Sequence, residues 1–393
     1  MTDRASDFFA SAAPGLEPLV VDELRTLGIP AGIEDGGAAW SGDAESLYRA
    51  CLHLRTASRV LTRIAVFGAR GFPELERHAR RIDWRRYIAP GTPVRLRVTA
   101  RKSRLYHEGA IAERLLGVIG SAATISGPAG DDDEEDDDAQ LIIVRFLRDR
   151  CTISADAAGA LLHLRGYRQQ VGKAPLRETL AAAMLHVAPS AIEAPLLDPL
   201  CGSGTILIEA ALRARRVPPG LAAATREPRA FAFQRWPDFD AGAWARVVDT
   251  ARSGILAAAP APIIGSDRDA GAIAAARANA ARAGVDRDID VEQRALSDAR
   301  VPPGQGVLLT NPPYGMRIGE RERLRDLYAS LGNLVRRRLP GWTVGMFCAD
   351  RRLCGQSGLA LRTALSTRNG GIPVDLLVGE SPASQLQDAA RSS

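Results

Sequence analysis

Between residues 195 and 311 the chain repeats one pattern, a short apolar run that ends in an unusual turn, and this recurrence points to a parallel sheet with helices between its strands. Pro195-Leu196-Leu197-Asp198 reads as a short buried strand that passes directly into Pro199-Leu200-Cys201-Gly202-Ser203-Gly204-Thr205 and then into a helix over Ile206 to Ala214. Gly202 and Gly204 let backbone approach a ligand closely, as in nucleotide-binding strand-to-helix turns. The full G-x-G-x-x-G spacing is absent, which weakens a dinucleotide reading, and no Gly-Lys-Ser/Thr follows as a phosphate loop requires. A second run, Pro262-Ile263-Ile264-Gly265-Ser266, ends in Asp267 ahead of a helix from Ala270 to Ala283. An acid at that place can accept both hydroxyls of a ribose. The third run, Ile289-Asp290-Val291, leads toward Leu296-Ser297-Asp298, and the fourth, Val307-Leu308-Leu309, ends in Thr310-Asn311-Pro312-Pro313-Tyr314-Gly315.

That last loop is stiff. Adjacent prolines offer carbonyls without N–H donors and fix their own φ, so the residues beside them are held in place. The Asn311 side-chain oxygen and the Pro312 carbonyl could both accept from one exocyclic NH₂ of a nucleobase, with Tyr314 supplying an aromatic face. Taken alone, four such residues are equally an ordinary proline-rich turn. Three successive strand ends carrying a glycine loop, an acid and Asn-Pro-Pro-Tyr, converging on one sheet edge, are far more specific than any one of them.

At 393 residues, with 46% hydrophobic composition, the chain is long enough for two or three domains with real cores. The net charge is +5, but the run Asp131 to Asp138 holds eight of the 46 acids, and without it the balance is +13. A remainder so basic favours a polyanionic partner, while the acidic run reads as a solvated loop. No apolar run reaches the length of a membrane span and residues 1–10 lack a leader's apolar core, so the cytoplasm is expected. The five cysteines are scattered and never in CxxC spacing, which argues against a disulfide framework or a zinc site and for small buried hydrophobes.

The first part alternates strand and helix signals. Phe8-Phe9-Ala10 is strand-like, Leu19 to Leu24 has helical apolar spacing closed by Gly28, and Ala44 to Leu54 is a second amphipathic helix. Arg55, Arg59 and Arg63 share one face should helix continue there. Pro93 to Ala100 alternates apolar residues with arginine, as a strand with a basic wet face should. Arg97, Arg101, Lys102 and Arg104, followed by Tyr106 and His107, suit phosphate contacts and base stacking. Leu141 to Leu147 and Cys151 to Ala155 read as a hairpin about Arg148-Asp149-Arg150. The join between domains falls after Gly159, and His163 among leucines reads as packed rather than ligating.

The strand-end conjunction resembles the class I S-adenosylmethionine-dependent methyltransferases that modify exocyclic amines of nucleic-acid bases. FFASAAPGLEPLVVDEL, LHLRGYRQQ, APLRETLAAAML, DPLCGSGTILIEAA, GSDRDAGAIAAARANAARAG and TNPPYG, in that order, are similar to the THUMP-domain guanine-N2 RNA methyltransferases, above all the bacterial large-subunit rRNA enzymes. The resemblance implies an α/β fold, a Rossmann-like methyltransferase domain at residues 161–385 after a ferredoxin-like part at 1–45 and a THUMP RNA-binding domain at 46–160, with a polar tail at 386–393. It implies S-adenosylmethionine as cofactor, RNA as partner, no metal and a monomer. Asp198, Gly202 and Gly204, with Cys201 and Thr205 in the same turn, would hold the methionine part, Asp267 the ribose, and Asn311, Pro312 and Tyr314 the target guanine. The long excursion between Thr205 and Asp267, with Phe233, Trp236 and Trp244, also matches the rRNA enzymes. Where relatives commonly place an acid against the adenine, Ala295 stands here, with Asp298 nearby. Some relatives carry a second methylase, whereas this sequence ends in its tail.

The expected chemistry is transfer to guanine N2, whose delocalised lone pair two acceptors would help aim. The target must be unpaired or flipped out. Rival readings are a tRNA guanine methylase, a DNA amino-methylase sharing Asn-Pro-Pro-Tyr, and a non-catalytic RNA-binding assembly factor.

Overall fold

A computed structural model describes residues 6–120, 138–169, 176–221, 225–314 and 321–382. All of the acidic run except Asp138, and Gly315 of the proline loop, lie outside these residues. The chain divides into two compact units, one of Met1–Ala12, Val20–Leu162 and Arg229–Asp249, the other of Ala13–Leu19, His163–Pro228 and Thr250–Ser393.

The first unit is built on a seven-stranded sheet of β1 (Ser6–Ala12), β2 (Gly32–Glu34), β3 (Gly37–Gly42), β4 (Ala57–Gly68), β5 (Val94–Arg101), β6 (Gln140–Leu147) and β7 (Arg150–Asp156), in the order β2-β3-β1-β4-β7-β6-β5. With the helices Glu17–Thr26 and Ala44–His53, the first four strands trace β-α-β-β-α-β. Asp43 caps the second helix by accepting from the Ser46 N–H at 2.7 Å. The segment carrying Arg59 and Arg63 is strand β4, not helix, and a spacing of four keeps both on one face in either case. Arg59 there forms a buried pair with Asp156 at 2.6 Å, while Arg63 pairs with Glu34 at 2.8 Å and lies over the Phe9 ring. β5 alternates as its sequence predicts, with Val94, Leu96 and Val98 buried.

Residues 229–249, which interrupt the second half of the sequence, pack in this first unit. Phe233 stacks on Tyr48 at 4.6 Å between centroids, with Trp244 edge-on at 5.9 Å, and the Trp236 indole donates to the Gln140 side-chain oxygen at 2.8 Å. The aromatic richness of that excursion therefore serves the core of the first unit.

The second unit holds β8 (Leu196–Asp198), β9 (Ile263–Asp267), β10 (Ile289–Gln293), β11 (Val307–Thr310), β12 (Thr343–Cys348), β13 (Arg362–Asn369) and β14 (Ile372–Glu380), in the order β10-β9-β8-β11-β12-β14-β13. The first five are mutually parallel and the β14–β13 hairpin runs antiparallel at one edge. Leu197, Leu308, Val344 and Met346 are wholly buried, as strands covered by helices on both faces require. Cys348 and Cys354 are joined as a disulfide, a correction to the reading of all five as small buried hydrophobes, which Cys51, Cys151 and Cys201 fit. The end of β12 and the short helix Arg351–Gly355 fold back on each other and bring their Cα atoms to 6.3 Å, a proximity that scattered spacing does not announce.

Helix Thr205–Ala214 carries Glu209, wholly buried. Arg165 and the Tyr167 hydroxyl, the latter at 2.9 Å, both donate to its carboxylate. Stripping a buried charge pair of one partner typically costs about 3–5 kcal/mol. Glu209→Ala should therefore lower the unfolding free energy by about that amount in urea titrations. A loss near the few tenths typical of a surface pair would show that this carboxylate is solvated.

Candidate active site

β9, β8 and β11 lie side by side, so the chain segments leaving their carboxyl ends emerge along one edge of the sheet. The turn after β8 is shaped by two glycines at positive φ, Gly202 at 51° and Gly204 at 83°. A Cβ at Gly204 would come 3.1 Å from that of Ala276, so this residue also sets how closely the helix Ala270–Arg282 approaches. A Cβ at Gly202 would meet nothing within 4 Å, leaving open space beside exposed backbone. The Asp267 carboxylate closes the turn, accepting from the Gly202 N–H at 3.1 Å and from the Asp269 N–H at 3.0 Å. Each of its oxygens keeps a free lone pair, and the side chain is only half-buried. Open glycine backbone beside a half-buried carboxylate fits a nucleoside with vicinal hydroxyls.

Asp198 is buried at the end of β8, where it accepts from the Leu200 N–H at 3.2 Å. Burial pushes its carboxyl up to about 7, against the pull of the neighbouring Thr310 hydroxyl and that N–H. Thr205, also buried, opens the following helix. Burial, and then the Asp198 and Asp267 carboxylates, hold the Cys201 thiol well above its ordinary range. It is therefore a packed thiol and no nucleophile.

The Asn-Pro-Pro-Tyr loop begins where β11 ends. Pro312 is buried, while Asn311 and Tyr314 are half-buried. The Tyr314 hydroxyl donates to the Asn311 side-chain oxygen, which ties the loop's two polar side chains together and fixes the amide's orientation. One lone pair of that oxygen remains for an incoming N–H.

Residues 165–372 match the RMKL-like methyltransferase domain family, and residues 7–61 match the RlmL ferredoxin-like domain. The chain belongs to the RMKL-like methyltransferase family. It is 36% identical to a candidate RNA methyltransferase of Synechocystis, over 94% of this chain and 95% of that one. It is 37% identical to the ribosomal RNA large subunit methyltransferase K/L of Syntrophotalea carbinolica over 95% of this chain, and it spans 53% of that protein's length. A candidate methyltransferase solved in complex with SAH superposes with a TM-score of 0.83 at 29% identity, covering 98% of this chain and all of that one.

In this methyltransferase a layer of contacts stands behind the glycine turn that the motif reading passed over. Asn279, wholly buried, donates from its amide to the Ser203 carbonyl at 3.0 Å. Arg282 donates to the Asn279 side-chain oxygen and, at 2.8 Å, to the Tyr167 carbonyl, and the Tyr167 hydroxyl donates to Glu209. An asparagine three residues before an arginine in an alanine-rich helix was the available clue. Ala295, which the family resemblance sets against the adenine, is exposed, as is Asp298.

In the first unit Arg101, Lys102 and Arg104 are exposed and Arg97 is half-buried. The Arg104 N–H donates to Asp149 at 2.7 Å and the Arg148 N–H to the Arg101 carbonyl at 3.2 Å, so the turn after β5 is tied to the β6–β7 turn. That tie brings the exposed Arg148 and Arg150 into the same neighbourhood as the basic segment. Tyr106, 64% exposed, has its ring 4.1 Å from that of His107.

Because Asp198 is held near 7 in the folded chain, it keeps a proton between roughly pH 4 and 7 that the unfolded chain releases. The folded state then binds more protons, so stability is full below the unfolded value and falls as pH rises toward 7. Glu178, pushed to about 7 by burial with Arg168 3.3 Å away, acts in the same direction. The melting temperature of the ligand-free protein should decline from pH 4 to 7, and less steeply in Asp198→Asn. Parallel profiles for the two proteins would remove Asp198 from this account.

Proposed function

We propose that this methyltransferase transfers a methyl group from S-adenosylmethionine to the exocyclic N2 of a guanine in large-subunit ribosomal RNA. The observation that carries the reading is the alignment of the Gly202–Gly204 turn, Asp267 and the Asn311–Tyr314 loop on three adjacent strand ends. The relatives named as large-subunit rRNA methyltransferases support the choice of RNA. So does the basic turn of the first unit, with a ferredoxin-like part over residues 1–45, a THUMP domain over 46–160 and a methylase domain over 161–385. The protein works in the cytoplasm as a monomer.

When bound, the cofactor supplies a methyl group already activated on a sulfonium. Asp198, Gly202 and Gly204, with Cys201 and Thr205 in the same turn, cradle its methionine part, and the free lone pairs of Asp267 take the ribose hydroxyls. The remaining lone pair of the Asn311 oxygen and the Pro312 carbonyl accept from the two N–H bonds of the target amine, favouring a pyramidal nitrogen with its lone pair aimed outward. The proton departs to one of these acceptors or to water. Tyr314 stacks on the base, offsetting part of the cost of taking it out of a helix. Arg97, Arg101, Lys102 and Arg104 contact phosphates and fix register without reading sequence.

Mass spectrometry of rRNA and tRNA nucleosides from cells lacking the protein tests the substrate directly. Loss of N2-methylguanosine from large-subunit rRNA is expected, loss from tRNA alone would move the target, and an unchanged nucleoside profile would favour a non-catalytic RNA-binding role. Asp267→Ala should weaken S-adenosylmethionine binding by about 1.5–3 kcal/mol, since two hydroxyls lose a charged acceptor. Unchanged calorimetric affinity would take Asp267 out of the site. Asn311→Ala should leave cofactor affinity and melting temperature nearly intact and slow single-turnover methyl transfer roughly 100-fold or more, as loss of one preorganised polar group does. A wild-type rate in that variant would refute the mechanism.

A further inference from the structure

Three chain segments of the first unit meet at one residue. Asp149 lies in the two-residue turn between β6 and β7, and each of its polar groups ties down a neighbouring segment. Its carbonyl accepts from the Ala69 N–H at 2.9 Å, just beyond β4. In the turn after β5, the Ser103 hydroxyl accepts from the Asp149 N–H at 3.0 Å, and the Arg104 N–H donates to the Asp149 carboxylate at 2.7 Å. The second carboxylate oxygen faces the Arg70 guanidinium at 3.5 Å. The segments gathered in this way carry the exposed cations Arg70, Arg101, Lys102, Arg104, Arg148 and Arg150, of which Arg70 alone has an acidic partner among the described residues. Two residues beyond Arg104 stands the exposed Tyr106, its ring 4.1 Å from that of His107.

The backbone here is held where long side chains are disfavoured. Lys102, Arg148 and Asp149 have φ of 51°, 52° and 62°, three of the five non-glycine residues at positive φ among the described residues. A two-residue hairpin turn with both central residues left-handed is ordinarily Asn-Gly or Asp-Gly. A cation at the first place of that turn gives the fold nothing that asparagine would not give at lower cost, and what it adds is a positive charge at a fixed point. The carboxylate among these cations lowers the pull of the face on a polyanion, so attraction alone does not account for it. The ties it makes do. Phosphates of an RNA chain are regularly spaced, and cations whose own spacing is set beforehand lose less freedom on meeting them. The aromatic pair that follows offers an unpaired base a face to stack on. We propose that Asp149 is a positioning residue for RNA binding, locking the segments after β4, β5 and β6 into one phosphate-binding platform that includes Arg148 and Arg150. Such a role presupposes the RNA partner proposed above, and it makes the platform depend on shape as well as on charge.

Binding of the full chain to deproteinised large-subunit rRNA over a series of salt concentrations separates shape from charge. Asp149→Gly and Asp149→Asn both suit a positive φ and both remove one negative charge, but only asparagine keeps a side-chain oxygen for the Arg104 N–H. On charge alone both variants should bind more tightly than wild type. With Asp149 as the positioning residue, Asp149→Gly should bind about tenfold more weakly, with the slope of log affinity against log salt shallower by about 1.5, the equivalent of about two phosphates, while Asp149→Asn stays within about twofold of wild type. Arg148→Asn tests the reach of the platform without loosening the turn. It should weaken binding about threefold and lower the slope by about one, while melting at or above the wild-type temperature, because asparagine is favoured at that place. Unchanged S-adenosylmethionine affinity in all three variants serves as the check that the methylase unit is intact. Asp149→Gly binding as tightly as wild type or more so, an equal loss in Asp149→Asn, or undiminished binding by Arg148→Asn would each overturn the inference. Wild-type protein with no salt-dependent rRNA binding, or one that binds anionic phospholipid vesicles in its place, would remove the RNA partner as well, whereas firm wild-type binding with an unaffected Asp149→Gly removes Asp149 alone.

Discussion

Glu209 sits wholly buried in the helix that follows the glycine turn, and its charge is tolerable there because Arg165 and Tyr167 donate to it. The contacts continue outward from that carboxylate. The Tyr167 carbonyl receives Arg282, Arg282 holds the Asn279 oxygen, and the Asn279 amide holds the Ser203 carbonyl inside the turn. A glycine turn gains access for its ligand by giving up side chains, and it loses stiffness with them. Here the stiffness comes from behind, through a chain of polar contacts that begins at a buried charge and ends on the turn's own backbone. The preorganisation expected of a binding turn thus has an identifiable source.

How much of this was readable in advance follows from how far apart the partners lie in the chain. The four strand ends were legible because a short apolar run and the turn that ends it are contiguous, and β8, β9 and β11 fall where Leu196, Ile263 and Val307 begin those runs. The alternation of β5 was legible for the same reason, being a period of two in adjacent residues. The pairings Trp236–Gln140 and Tyr48–Phe233 were not, since nothing local in either segment encodes the other. The aromatic excursion could be seen as unusual, but its membership of the first unit could not.

Two departures have a common physical cause. Arg59 and Arg63 share a face whether the backbone is helix or strand, so their spacing carried no information that could separate the two, and the strand is decided by β4 pairing with β1 on one side and β7 on the other. Cys348 and Cys354 are likewise brought together by a fold-back after β12. In each case tertiary placement supplied what local pattern left undetermined.

The two carboxylates of the site illustrate how the same group is given two characters within a few ångströms. Asp267 is half-buried and receives two backbone N–H groups, an arrangement that leaves lone pairs facing outward. Asp198 is buried with one such donor, and burial, with Asp267 adding a smaller push of the same sign, moves its ionisation up to about 7. The first is thus an acceptor ready for hydroxyls, whereas the second gives up its proton readily only when a positive charge comes close enough to offset its desolvation. In the proposed site, neutral polar groups would be taken at one strand end and a cation favoured at the next. That division suits a ligand that is a ribonucleoside at one end and cationic at the other, and it arises from the depth at which each strand ends in the sheet.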